Sequence, residues 1–275
     1  MSEVVERTEL LLPEPALALG ALLEVPVPDL ERGEGLPLLW HWVYLLDRPR
    51  QSDLGADGHP VRGGVPAPPA QGRRRMWAGG RVRTPGVLRC GEPATRRSEV
   101  ASVRDKHGRS GRLTFVTVRH RIEQHGRVVV EEEQDIVYRD AASATPAPAT
   151  ADEAAVSPPG GDEWALDITP TLLFRFSALT YNAHRIHYDR DYATQVEGYP
   201  GLLTHGPLQA LAMAEAARAT GHTGGAAFEY RLTAPLFDHQ GLIARAQPGN
   251  GTSTTAVRDL HGRRTAHGTL SRFDR

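Results

Sequence analysis

The stretch FSALTYNAHRIHYDRDYA, Phe176 to Ala193, sets an amide, Asn182, and two imidazoles, His184 and His187, within a few residues of one another, beside Arg185 and Asp189. An imidazole titrates near neutral pH and can take up and return a proton. An amide cannot act as a base at that pH, but it holds a water through its carbonyl or a substrate oxygen through its NH2. Downstream, LLTHGPLQALAMAEAARATG opens at His205-Gly206-Pro207. Proline suits the first helical position, and Gly221 is a suitable stop. The start of such a helix carries free N–H groups and the positive end of the dipole, and Gly206 lets a ligand approach the backbone. A carbonyl oxygen that gains negative charge would be stabilised there.

Structural readings stand beside these. Gly206 could serve only the entry turn, Asn182 a turn, and His184 a surface loop. Asp189 suits the N-cap of the short helix DRDYATQVEG, with Tyr188 as packing. His184, His187 and His205 could also ligate zinc. No HExxH and no acidic cluster accompanies them, so no metal is expected.

The elements that must position these residues recur in two halves. The stretch Ala141 to Glu163, AASATPAPATADEAAVSPPGGDE, lacks large apolar residues apart from isolated valine and reads as a linker. It separates residues 1–140 from residues 164–275. In the first half LPLLWHWVYLL, Leu36 to Leu46, is long and apolar enough for a buried helix. A Pro/Gly-rich loop follows, then four strand-like runs: RMWAGGRVR, TRRSEVASVRDKHG, RLTFVTVRHRIEQHG and RVVVEEEQDIVYR. Lys106-His107-Gly108 and Gln124-His125-Gly126 suit hairpin turns. The second half repeats the order, with the Pro207–Gly221 helix and then FEYRLTAPLF, GLIARAQPG, GTSTTAVRDLHG and RRTAHGTLSRF. A helix followed by long antiparallel strands, twice, is an α+β arrangement in which a sheet wraps a helix.

Hydrophobic content of 40% supports real cores. Formal net charge is −1, with both signs interspersed, which excludes a nucleic-acid partner on charge grounds. Lys106 is the lone lysine, so an arginine-rich run such as Arg73-Arg74-Arg75 carries less information than usual. Cys90 is the lone cysteine; it can form no internal disulfide, and a CxxC metal site is excluded. The N-terminal segment is acidic before its apolar part and is cut by Pro13 and Pro15, unlike a signal peptide. No segment approaches the ~20 apolar residues of a membrane span. The expectation is a soluble cytoplasmic protein, with a homodimer as its assembly.

The stretch resembles the hydratase motif of the MaoC-like (R)-specific enoyl-CoA hydratases and dehydratases. Phe176 leads, Thr180 takes the serine place, Ile186-His187 matches Ile-His, Asp189 and Ala193 follow, and His205-Gly206 matches the family's His-Gly. The catalytic aspartate of that family falls on Asn182, its asparagine on His184 and its proline on Arg185. This variant is similar to a narrower branch, the mesaconyl-C4-CoA hydratases and the mitochondrial 3-hydroxyacyl-thioester dehydratases. LPLLWHWVYLL, QSDLGADGHP, RRMWAGGRV and EEQDIVYR extend that resemblance into the first half.

The resemblance implies a double hotdog, with two long central helices wrapped by an antiparallel sheet and the hydratase motif only in the second. It implies reversible hydration of an enoyl thioester, on coenzyme A or on acyl carrier protein, with no cofactor. His187 would move the proton, Asn182 orient the water and Gly206 N–H polarise the thioester carbonyl. His184 would stand in for the missing carboxylate, and Arg185 could meet a free carboxylate on the acyl chain. His205 completes the substrate-binding set, and Arg73, Arg74 and Arg75 could meet a coenzyme A phosphate. The rival readings are a hotdog thioesterase and a non-catalytic acyl-thioester-binding subunit.

Overall fold

The computed structural model describes residues 4–61, 65, 73–108, 111–140, 155–222 and 225–273. Ten strands form one antiparallel sheet in the order β1-β3-β4-β5-β2-β7-β10-β9-β8-β6. The strands are β1 (Val5–Leu10), β2 (Arg73–Arg83), β3 (Pro93–Gly108), β4 (Gly111–Gln124), β5 (Arg127–Asp140), β6 (Glu163–Leu166), β7 (Ala226–Leu232), β8 (Leu242–Pro248), β9 (Thr252–Arg258) and β10 (Arg264–Arg272). All eight strand-like runs read from the sequence fall in strands. β2 joins the halves, pairing with β5 on one side and with β7 on the other, from Gly79 opposite Arg231 to Arg83 opposite Ala227. The Gln124–Gly126 turn closes the β4–β5 hairpin, with His125 and Gly126 both at positive φ. Between β3 and β4 the turn itself lies outside the described residues.

Among the described residues there are three α-helices, α1 (Glu14–Leu23), α2 (Pro170–Leu179) and α3 (Gly206–Ala219); α3 packs on the sheet, and α1 packs against α2. The longest, α3, begins at Gly206-Pro207 as the sequence indicates, and Leu208, Leu211, Ala212 and Met213 on it are fully buried. Its alanines let β8, β9 and β10 approach closely.

The segment expected as the first central helix is not one. Leu36 to Leu46 holds a single 3-10 turn, Trp40–Val43, bounded by Leu39 and Leu45 at positive φ. Leu39–His41 and Val43–Leu45 are buried and the rest half-buried, so the run is apolar throughout and mimics a core helix in sequence. Hydrogen bonds from its polar rings hold it instead: Trp40 Nε1 donates to Glu215 Oε1 of α3 at 2.7 Å and Trp42 Nε1 to Glu132 Oε1 of β5 at 2.8 Å. His41 Nε2 pairs with the other Glu132 oxygen at 3.0 Å. Burial opposes the Glu132 charge, yet its bond to His41 holds the carboxyl down at about 2. The helix of the first half is α1, in the Pro13/Pro15 segment, where Leu19, Leu22 and Leu23 enter the core.

Of the expected linker, residues 141–154 lie outside the described residues. Its last part is pinned down: Arg258 donates to Ser157 O, Pro158 O and both Glu163 carboxylate oxygens. No helix among the described residues is long and apolar enough to cross a membrane.

Candidate active site

Residues Asn182–His187 follow α2 as a turn and a 3-10 turn, then lead through an N-capped turn to Val196. Asn182 Oδ1 accepts from His184 N–H at 3.0 Å, so the amide carbonyl builds the turn; the residue lines the cavity, and its NH2 has no hydrogen-bond partner among the described residues. Asp189 Oδ1 accepts from Tyr192 N–H at 3.0 Å, an N-cap as expected. Its other oxygen takes Arg185 Nε and NH2 at 3.0 and 2.7 Å. Arg185 also donates to Ala56 O and stacks 4.1 Å over the Tyr192 ring, which gives it a structural job outside the cavity lining.

His187 pairs through Nδ1 with Leu203 O at 2.7 Å. A carbonyl can only accept, so Nδ1 carries the proton and Nε2 keeps its lone pair. Nε2 has no partner among the described residues and is open to the cavity. Burial pushes this imidazole down to about 4, so it is neutral at rest. His205 stacks on it, ring centroids 3.7 Å apart, and is fully buried, with Nε2 against Ser177 Oγ at 2.9 Å. Burial and the neighbouring His187 hold His205 well below its ordinary value. It lies behind the cavity wall rather than in it. His184 lies edge-on to His187 at 5.4 Å, and burial with its imidazole neighbours drives it far below the usual range.

Gly206 opens α3 on the same cavity, and no acceptor for its N–H occurs among the described residues. A Cβ there would lie 2.4 Å from Leu232 Cδ1 and 3.4 Å from Trp77 Cβ, so the cradle accepts only glycine without rearrangement.

The sequence reading assigned no role to Asp57 and His59, from QSDLGADGHP in the first half, and the structure brings both here. Asp57 O accepts from Arg185 N–H at 2.9 Å, docking this loop on the motif backbone. Gly58, at φ 87°, sits so close that a Cβ would be 1.8 Å from Ala183 O. Asp57 Oδ1 accepts from His59 N–H at 3.0 Å and Oδ2 pairs with His59 Nδ1 at 3.2 Å. The His59 ring lies 3.9 Å from that of His184. Burial lowers the His59 imidazole, against the opposing bond to Asp57; burial also opposes the Asp57 charge, but its bonds to His59 hold that carboxyl below its ordinary value. The available signal was a carboxylate and an imidazole two residues apart in a glycine-rich loop.

The cavity encloses about 1930 Å³ between the two halves. Arg73 donates to Thr114 Oγ1, Arg112 O and Tyr138 O, and Arg74 pairs with Glu197 at 2.7 Å. Arg75 makes no hydrogen bond or ion pair with the described residues, and its charge bears on His59 and His184. The three arginines thus differ in their partners, Arg73 and Arg74 being held by protein groups. Ligand atoms of Asp57, His59 and His184 lie within 4.8 Å of one another, a donor set that a divalent cation could use. The zinc set weighed from sequence, His184 with His187 and His205, has His187 Nδ1 on Leu203 O and His205 Nε2 on Ser177.

Residues 39–238 match the family model of hydroxyacyl-thioester dehydratase type 2. The chain belongs to that family. It is 49% identical over 235 residues to mesaconyl-C4-CoA hydratase of Chloroflexus aurantiacus, covering 85% of this chain and 82% of that one. A MaoC-like dehydratase from Phytophthora capsici superposes with a TM-score of 0.70 at 14% identity, covering 100% of this chain and 95% of that one. A Mycobacterium tuberculosis protein described as a double hotdog superposes at 0.58 with 16% identity, over 98% of this chain and 95% of the other. This hydroxyacyl-thioester dehydratase type 2 member is thus a hydro-lyase with a double-hotdog fold.

Proposed function

We propose that this hydro-lyase adds water reversibly across the α,β double bond of an enoyl-CoA whose acyl chain carries a free carboxylate, with mesaconyl-C4-CoA as the first candidate. The supporting observation is His187 Nε2, an unprotonated nitrogen open to the same cavity as the free Gly206 N–H. His187 accepts a proton from water as the C–O bond forms at the β-carbon. The Gly206 N–H, at the positive end of α3, stabilises the oxygen of the thioester enolate. The Asn182 NH2 holds the water or the nascent hydroxyl. The α-carbon is then protonated, so the elements of one water have been added.

The substrate class rests on the relative from Chloroflexus and on Arg75. Arg75 and Trp77 share one face of β2, and Trp77 lies against Gly206. Two residues of strand span ~7 Å, within an arginine's reach of a carboxylate a few bonds from the thioester. The reading includes a cytoplasmic homodimer, tested by light scattering on the purified chain.

Incubation with crotonyl-CoA and mesaconyl-C4-CoA, with and without EDTA, tests the function. The expected result is loss of enoyl absorbance, faster for the dicarboxylate thioester, without release of free coenzyme A. Release of coenzyme A would indicate a thioesterase, and saturable binding without turnover a non-catalytic acyl binder.

A further inference from the structure

The stretch Asn182–His187 supplies an amide and two imidazoles but no carboxylate, and the nearby Asp189 is engaged by Arg185 and by Tyr192 N–H. Three imidazoles line the cavity, His59, His184 and His187, and His205 stacks behind the last of them. A proton taken from water must be held among them until the α-carbon accepts it. His187 and His205 have no carboxylate partner among the described residues, and a ring nitrogen of His184 comes within 4.8 Å of Asp57 without a hydrogen bond or ion pair to it. An imidazolium on His187 or His205 would be a buried cation without a paired carboxylate, which is costly. His59 differs, since Asp57 Oδ2 sits 3.2 Å from its Nδ1. That bond places the resting proton on Nδ1 and leaves Nε2 as an acceptor, with no partner among the described residues and open to the cavity.

We propose that Asp57 and His59, supplied by the first half, form the acid–base pair that carries the proton in transit, replacing through space the carboxylate missing from the motif. The proposal rests on the hydratase reading above. Water loses one proton to the imidazole cluster as its oxygen bonds to the β-carbon. That proton comes to rest on His59 Nε2, and the Asp57 carboxylate balances the imidazolium. His59 then delivers it to the α-carbon and returns to neutral, so no external acid or base is consumed.

The geometry favours a functional pair over a surface ion pair. The loop is docked by backbone, through Asp57 O to Arg185 N–H and by the approach of Gly58 to Ala183. A solvated pair would need no such fit. Arg75 faces His59 from β2 and opposes a positive charge there, while His184 packs its ring on His59 from the motif turn. Asp57 is therefore the group that makes the protonated form accessible.

The test uses the full chain with Asp57→Asn, His59→Gln and Asp57→Glu. Asp57→Asn keeps an acceptor for His59 N–H, so the loop should stay docked, and thermal unfolding checks this. In both Asp57→Asn and His59→Gln, turnover should fall by at least about 10²-fold with little change in KM. Exchange of the α-proton of the hydrated product in D2O should fall in parallel, and Asp57→Glu should recover part of the rate. Wild-type hydration with both neutral variants within about threefold of it would overturn the proposal. So would stoichiometric metal in the active protein together with loss of hydration in EDTA, since Asp57, His59 and His184 would then be metal ligands. Absence of hydration by the wild type would instead refute the function reading.

Discussion

Replacing Gly58 by alanine perturbs the candidate site without touching a group that titrates. The new methyl would start 1.8 Å from Ala183 O, where ordinary contact lies at 3.4–4 Å. The loop carrying Asp57 and His59 must therefore retreat from the motif turn by about 1.5 Å, and misplacement of a reacting group by about 1 Å can cost 10²-fold in rate. The φ of 87° at Gly58 adds a backbone penalty of about 1–2 kcal/mol for any residue with a Cβ. Retreat also strains the 2.9 Å bond from Arg185 N–H to Asp57 O. Gly58→Ala should fold with a lowered thermal midpoint and lose about 10²-fold in kcat, with a smaller change in KM. Steady-state loss of enoyl absorbance, measured beside calorimetric unfolding, separates the two effects. A variant with unchanged kcat and a lowered midpoint would refute the idea that this loop's position matters to chemistry.

His187→Ala should reduce kcat by about 10²–10⁴-fold while coenzyme A ester binding, followed by calorimetry, is nearly retained. His187 also links stability to pH. Its folded value of about 4 lies below its ordinary 6.5, so between these limits the unfolded chain binds the extra proton and stability falls as pH falls. About 3 kcal/mol should be lost across that window, and His187→Gln should flatten the slope of urea-unfolding free energy against pH there. Asn182→Asp keeps the acceptor for His184 N–H, so the midpoint should hold; the added carboxylate favours protonated imidazole and should move the acid limb of the kcat profile upward. Arg75→Gln should raise KM for mesaconyl-C4-CoA and spare crotonyl-CoA, whereas Arg74→Gln, which breaks the pair with Glu197, should lower the thermal midpoint instead.

Local pattern determined much of this protein. β4 follows from alternating apolar and β-branched residues, because one face of the strand must meet the core, and the other strand-like runs lie where they were read from β-formers bounded by turn residues. Pro207 and Gly221 delimit α3 because proline lacks an N–H and glycine tolerates positive φ. The Asn182–His187 spacing was visible for the same reason, since its residues are neighbours in the chain. Burial without periodicity was misleading: Leu36–Leu46 is apolar on every side yet not helical, because partners on α3 and β5, far along the chain, satisfy its ring N–H groups. Likewise Arg73, Arg74 and Arg75 are identical in sequence, and only the acceptors folded around the first two leave the third without one among the described residues. The meeting of Asp57 and His59 with His184 depended on tertiary structure most of all. More than a hundred residues of chain separate them, and a backbone approach that tolerates no Cβ at Gly58 brings them together. Such a contact is a property of the joined sheet through β2, which no local window of sequence contains.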